Sequence, residues 1–389
     1  MARRAAVRRR RLALAVVAGA AGTALVVAAG LPPDATVPAD APPLARYLGW
    51  PTVTPSLAPR LPPRPTIVAA AAPSRPLLPR EPRRLLDGGC CVGAWWAEDS
   101  SGLRYLDRPG GALTAALYRI SVWPPGSAAH VLTSDDLAAT LSDPVVIRHS
   151  RGYALVEDVT TGDKWPLPTG GKPVRISPDG SWAVWWDTPG QRVFHDTIVR
   201  LYASDVYGFD ERVVGGMYGA EVVGFAAGGQ RVLAVGRRDR LSAVRDLVAI
   251  DLRDNTTTTL ASGNRLADAL VSPDGSRVVY SVSLDHADPE ANGVWVVGVD
   301  AEPARKLPFD GSYRWRDGRR LLCFPLQPHA TAHVLWQVDT ATMTAVELLG
   351  TDVPWLRVAN NDWSVSPDGD TLAFLSELDR NLWVVDLPE

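Results

Sequence analysis

Lysine is almost missing from this chain, with three residues against 37 arginines in 389. That skew reflects coding composition more than a binding need, and a net charge of −3 leaves no overall basic footprint for nucleic acid. Cysteine is equally scarce. Cys90 and Cys91 are adjacent and Cys323 stands alone, so no disulfide framework can be drawn and one thiol is left over however they pair. Buried free thiols are the expectation. Signatures of catalysis are absent as well: there is no G-x-S-x-G elbow. His329 and His333 lie four apart, but without the glutamate of H-E-x-x-H they make no metal motif. The acidic "DHADPE" from Asp285 lacks the spaced oxygens and central glycine of a calcium loop. The expectation is therefore no metal, no cofactor and no enzyme activity.

Charge is also absent from residues 12–30, "LALAVVAGAAGTALVVAAG", directly after six arginines in residues 1–11. Nineteen uncharged, largely apolar residues can just span a bilayer, and the arginines place the N-terminus in the cytoplasm with everything after Gly30 exported. A cleaved signal peptide and an uncleaved anchor both fit, and "VAAG" offers a small-residue cleavage site after Ala29. Residues 31–82 follow as a linker, with fifteen prolines between positions 32 and 82. Such a composition buries no core and favours an extended, semi-rigid stalk.

What the chain has in quantity is repetition. "RISPDGSWAVWW" from Arg175, "LVSPDGSRVVYS" from Leu270 and "SVSPDGDTLAFL" from Ser364 are near copies, with Asp179, Asp274 and Asp368 spaced 95 and 94 residues apart. Each interval is twice a unit of about 47, and worn copies sit midway at Gly228 and Asp317. Proline presets its φ, aspartate bonds its own backbone and glycine accepts φ > 0, so Ser-Pro-Asp-Gly reverses the chain between two strands. A third strand then ends in Asp, as in "LVAIDL", "VWVVGVD", "VLWQVD" and "LWVVDL", and a weaker fourth follows in "TTTTL", "ARKLPF" and "TAVEL". Four antiparallel strands repeated at this period predict an all-β fold, a β-propeller over residues 83–389.

Turns at Asp99, Asp143, Asp179, Gly228, Asp274, Asp317 and Asp368 give seven blades. Their spacing is uneven, so six blades, with residues 94–168 as one irregular unit, is the alternative. The C-terminal "NLWVVDLPE" reads as a third strand, and "EPRRLLDGG" from Glu81 resembles the fourth-strand wording "EPARKLPFDGS". Residues 83–87 are therefore expected to complete the last blade and latch the two ends of the ring.

The S-P-D-G turn followed by an apolar strand ending in Asp resembles the TolB-type repeat, also called the WD40-like or PD40 repeat, over residues 83–389. The resemblance implies a binding scaffold, not a particular reaction. The Pro-rich region stands where TolB carries a small α/β domain, so a Tol-Pal role does not carry over.

In propellers, loops joining second to third strands and loops joining blades share the channel face. His149, His195, His286 and His329 fall in or beside the former on this reading, and Tyr218, Tyr313, Trp355 and Trp363 in the latter. One account makes the aromatics caps of the core. The other makes Tyr218, Tyr313, Trp355, Trp363, His195, His286 and His329 a binding face for a peptide or glycan. The leading functional expectation is a monomeric, non-catalytic envelope protein, secreted or membrane-anchored, binding a partner protein, peptide or glycan. A secreted enzyme, a lyase or quinoprotein-like dehydrogenase using the channel histidines, is the alternative.

Overall fold

The computed structural model describes residues 82–388 apart from residues 87–92, 98, 108–115, 123–129, 132–138, 143–144, 151, 159–160, 188–196, 287, 301, 328–331, 351–352 and 354. The expected leader and nearly all of the linker, together with Cys90, Cys91, His195 and His329, lie outside the described residues. Among the described residues no helix is long and apolar enough to cross a membrane.

Strand β1 (Arg83–Arg84) is followed by a sheet of β2 (Gly93–Trp96), β3 (Gly102–Asp107), β4 (Ala116–Ser121) and β5 (His130–Val131). A second sheet holds β6 (Ala139–Ser142), β7 (Val145–His149), β8 (Ala154–Asp158) and β9 (Lys164–Leu167). The third sheet has seven strands in sequence order: β10 (Val174–Ile176), β11 (Trp182–Trp186), β12 (Ile198–Asp205), β13 (Arg212–Ala226), β14 (Arg231–Arg237), β15 (Val244–Asp251) and β16 (Thr257–Asn264). Two more sheets of four comprise β17 (Ala267–Val271), β18 (Arg277–Val282), β19 (Gly293–Gly298) and β20 (Arg305–Lys306), then β21 (Gly311–Trp315), β22 (Arg320–Pro325), β23 (Leu335–Asp339) and β24 (Thr344–Leu349). The last contains β25 (Val358–Val365), β26 (Thr371–Ser376) and β27 (Leu382–Asp386), with β1 as its fourth strand.

All pairings are antiparallel between sequence neighbours except one, in which Arg83 and Arg84 pair with Val384 and Trp383. The latch expected from "EPRRLL" is present, in a strand two residues long extended by a bond from Leu85 N–H to the Leu382 carbonyl at 2.8 Å. Strands β2–β5 and β6–β9 hydrogen-bond into two separate sheets. The seven-stranded sheet departs from the expected pattern of separate four-stranded units, because the fifteen residues of β13 serve as the outer strand of one half and the inner strand of the next. Register shifts at Tyr218–Glu221 and Val222–Gly224, one residue each, let one strand turn from one half to the other.

The repeated turn has a common hydrogen-bond pattern. Ser177 Oγ donates to Asp179 Oδ1 at 2.5 Å, Ser181 N–H reaches the same oxygen at 3.1 Å, and Trp182 N–H donates to Ser177 Oγ at 2.9 Å. Ser272, Asp274, Ser276 and Arg277 repeat it, as do Ser366, Asp368, Asp370 and Thr371. Each turn also leans on its neighbour: Asp368 N–H donates to Ser100 Oγ at 3.1 Å, and a Cβ at Gly229 would lie 2.6 Å from Asp179 Oδ1. The recurrence thus answers two demands at once, a tight reversal and a small surface for the next unit to pack on.

Apolar clusters fill the gaps between successive sheets. Val279, Val294 and Val296 meet Tyr313, Trp315 and Leu321, while Ala373, Leu382 and Val384 meet Trp96, Leu103 and Ile120, joining the last sheet to the first. Strands buried on both faces, such as β14 and β26, read as continuous apolar runs for this reason.

The turn carboxylates predict an acid response. Partial burial opposes ionisation of Asp274, but bonds from Ser272, Ser276 and the charge of Arg277 outweigh it and hold the carboxyl below its usual range; Arg319 and Arg320 do the same for partly buried Asp317. A depressed folded-state pKa stabilises above the unfolded value of about 3.9, and the contribution is lost as pH falls through the folded one. Melting temperature is expected to hold from pH 7 to about 5 and to drop below about 4. The Asp274→Asn variant should melt lower at pH 7 and show a shallower acid slope; an unchanged slope would remove Asp274 from the account.

Candidate functional site

A cavity of about 960 Å³ opens where the inner strands β10, β13, β17, β21 and β25 converge, at the end of the sheets bearing the second-to-third-strand loops. Arg175, Glu221, Asp268, Arg314 and Asn361 line it, one from each of those strands, with His333 and Leu326 from the β22–β23 connection. A smaller cavity of about 200 Å³ adjoins it, sharing Arg314 and Asn361 and bounded by Trp363, Phe374 and Ala94.

Backbone irregularity aims several of these groups inward. Register slips interrupt β13 between Tyr218 and Glu221, β17 between Ala267 and Leu270, and β25 between Val358 and Trp363. At these slips Asp268, Asn360 and Asn361 adopt φ of 53°, 52° and 63°, a region that Asn and Asp tolerate better than most residues. A bulge leaves its extra residue unpaired in the ladder and redirects the side chain, here at three inner strands on one cavity.

Arg314 sits in β21, where alternation sends Tyr313 and Trp315 into the core and leaves Ser312 and Arg314 half-buried. Its Nη1 donates to the Tyr313 carbonyl at 2.8 Å, and the guanidinium lies 5.2 Å from the centre of the Trp363 ring. Burial pushes its pKa down, and the Asp268 charge partly opposes that. Arg175 donates to the Val223 carbonyl at 2.9 Å and lies 5.9 Å from the centre of the Trp186 ring; its side chain is exposed by surface area, while the surrounding protein lowers its pKa by desolvation. Glu221 is matched by Arg245 at 3.0 Å. Asp268 accepts from Ser281 Oγ at 2.8 Å through Oδ2.

His333 accepts the Val358 N–H at Nδ1, 3.1 Å away, which puts the proton of the neutral ring on Nε2 and makes it a donor. Burial lowers its pKa, with Glu377 opposing and Arg357 reinforcing. Cys323 is a buried free thiol, as expected, and burial pushes its pKa up to about 12 against a hydrogen bond with Tyr313.

The aromatic residues expected in blade-to-blade loops are placed differently. Tyr218, Tyr313 and Trp363 lie within β13, β21 and β25, and only Trp355 lies in a connection. Tyr313 is 4% exposed and donates to the Phe309 carbonyl at 2.7 Å, with burial raising its pKa far above the usual value. Trp363 is 5% exposed, edge-on to Phe324, and donates to Ser312 Oγ at 2.9 Å and Asn361 Oδ1 at 3.0 Å. Half-buried Trp355 stacks over Phe374. Inner strands carry their rings between sheets, where apolar area is removed from water, so Tyr313 and Trp363 are buried in the core clusters while still bordering the two cavities. Tyr218 is half-buried opposite Ile198 and Arg237. His149 ends β7 and His286 lies in the β18–β19 loop, both exposed and neither lining the cavity.

Sequence reading missed Arg314, Arg175, Asp268, Asn361 and the position of His333. The polar run Asn360-Asn361-Asp362 ahead of an apolar strand was the available signal, since such residues favour the left-handed conformation of a bulge.

No family model matches the chain, and no curated protein sequence does. Solved structures do. An oligogalacturonate lyase in complex with manganese is 16% identical, with a TM-score of 0.52 over 79% of this chain and 90% of that one. An oligogalacturonate lyase from Vibrio parahaemolyticus is 14% identical, with a TM-score of 0.54 over 79% of this chain and 94% of that one. A putative TolB from Agrobacterium tumefaciens is 18% identical, with a TM-score of 0.37 over 65% of this chain and 90% of that one. These likenesses concern the fold.

They also correct the expectation that the chain is not an enzyme: two solved structures that superpose above one half are lyases, so the exclusion of catalysis does not stand. Among the described residues no three His, Cys, Asp or Glu side chains gather to hold a metal ion. Inner-strand cavity, strand topology and the superpositions above one half together give the chain a β-propeller fold, whose S-P-D-G turns resemble the TolB-type, WD40-like repeat.

Proposed function

We propose that this protein works outside the membrane as a seven-bladed propeller, counting the seven-stranded sheet as two blades that share β13, and that its channel cavity binds a linear glycan of the cell envelope. The observation that carries this is the cavity wall. Its volume of about 960 Å³ falls within the range of ligand sites, and five inner strands each contribute an inward polar group between apolar ones. Hydroxyl-rich chains are recognised by such mixtures: Asp268 accepts, while Asn361 Nδ2 and His333 Nε2 donate. Residues 1–30 would export the chain, as a cleaved signal or as an anchor, and residues 31–82 would act as the stalk carrying a monomeric propeller.

A second reading is cleavage of the same chain by elimination, and its support is the lyase fold likeness. In that reaction a base removes the proton α to a uronate carboxylate, the bond to the leaving oxygen at the β carbon breaks, and a C=C bond remains. His333 is poorly suited as the base while its Nδ1 holds the Val358 N–H. Calorimetry of the purified chain with neutral and uronate-containing oligosaccharides is expected to show one saturable site. Ultraviolet absorbance of unsaturated product, read on the same samples, would place the protein among the lyases. Binding of a peptide library with no response to any glycan would end the glycan reading.

A further inference from the structure

We infer that Arg314 is an oxyanion receptor and that the channel ligand is an acidic chain, an inference that rests on the glycan reading above. The arginines elsewhere in this fold are commonly neutralised: Arg245 by Glu221 at 3.0 Å, Arg357 by Glu377 at 3.0 Å and Arg319 by Asp339 at 2.6 Å. Arg314 is half-buried and, among the described residues, no carboxylate comes within ion-pair distance of it. A cation placed in a low-dielectric wall without a counter-ion is disfavoured unless something else supplies the negative charge. Asp268 is close enough to be felt by the guanidinium but bonds to Ser281 instead.

The geometry also fixes which edge is presented. Nη1 is occupied by the Tyr313 carbonyl at 2.8 Å and Ser312 Oγ at 3.5 Å, leaving Nε and Nη2, the two donors along one edge of the guanidinium. That pair matches the two oxygens of a carboxylate or phosphate. Trp363 holds the plane, and Trp363 is itself pinned through Nε1 to Ser312 Oγ and Asn361 Oδ1. A receptor held this way loses little side-chain freedom on binding. Arg175 faces the same cavity, also without a carboxylate at ion-pair distance among the described residues, and would engage a second acidic unit along the chain. Around Arg314, Asp268 and the amide of Asn361 are left for hydroxyls of the bound sugar.

The test is calorimetry of the full chain with three probes of equal length: an oligogalacturonide, its methyl ester and a phosphorylated neutral oligosaccharide. The acid is expected to bind at least about tenfold more tightly than the ester, a difference of about 1.4 kcal/mol. Arg314→Gln should weaken acid binding far more than ester binding and so abolish that preference, and Arg314→Lys should restore only part of it because ammonium cannot bind bidentately. Tighter binding of the phosphorylated probe, lost equally in Arg314→Gln, would keep Arg314 as the receptor and assign phosphate as the anion. Equal affinity for acid and ester in the wild type, or a variant that weakens both alike, overturns the inference while leaving the glycan reading standing. Silence from all three probes overturns both.

Discussion

Alanine in place of Gly369 is expected to lower the melting temperature by about 5–10 °C, the larger of two contrasting glycine effects in the repeated turns. Two causes combine at that position. Gly369 has φ of +80°, which strains any residue with a Cβ, and the Cβ would run into the backbone carbonyl of Arg316 in the preceding sheet. Gly228, in the corresponding turn after β13, has φ of +65° but nothing within 4 Å of an added Cβ. Gly228→Ala should therefore show backbone strain alone, about 1–2 kcal/mol, or roughly 2–5 °C. The difference between the variants measures how tightly one turn packs against the next. Similar shifts for both, by calorimetry at one pH, would mean that the turn-to-sheet contact at Arg316 yields without cost.

Removing the latch should have a comparable effect by a different route. Deletion of residues 1–78 leaves β1, whereas deletion of residues 1–90 takes it away, together with Leu85 and Leu86, which pack against the cluster joining the last sheet to the first. The bond from Arg83 Nη1 to the Val122 carbonyl at 3.3 Å, another tie across that junction, goes with them. Loss of the two half-buried leucines alone amounts to about 2–4 kcal/mol. The shorter truncation is expected to melt with the full chain, and the longer one to melt several degrees lower and to associate at micromolar concentration through the bared edge of β27. Equal melting curves for the two truncations would show that residues 81–87 contribute nothing to the fold's stability.

The strand plan was legible because it is local. The turn marks among the described residues fall between the first two strands of a sheet or, at Gly228, between β13 and β14, and "EPRRLL" was recognisable as a fourth strand from its likeness to "EPARKLPF". Turn chemistry depends on four residues, and strand burial leaves a continuous apolar signature, so both are written in consecutive letters. The sharing of β13 was not legible, because register slips of one residue within a continuous strand leave no turn sequence to mark where one half ends and the next begins.

The site divides the same way. Tyr313 and Trp363 could be picked out as aromatics near inner strands, but whether their rings face the channel or the core depends on strand phase, and a shift of one residue reverses it. Arg175, Asp268, Arg314 and Asn361 are separated by as many as 186 residues (175 to 361) and share no motif. By itself the sequence determined the repeat, its turns, the strand order and the origin of the closing strand, all through interactions between near neighbours in the chain or between copies of one pattern. Only the tertiary structure decided which polar side chains converge and which arginines, among the described residues, stand without a carboxylate at ion-pair distance, because convergence around a channel is a sum over five strands, three of them carrying bulges that redirect individual residues.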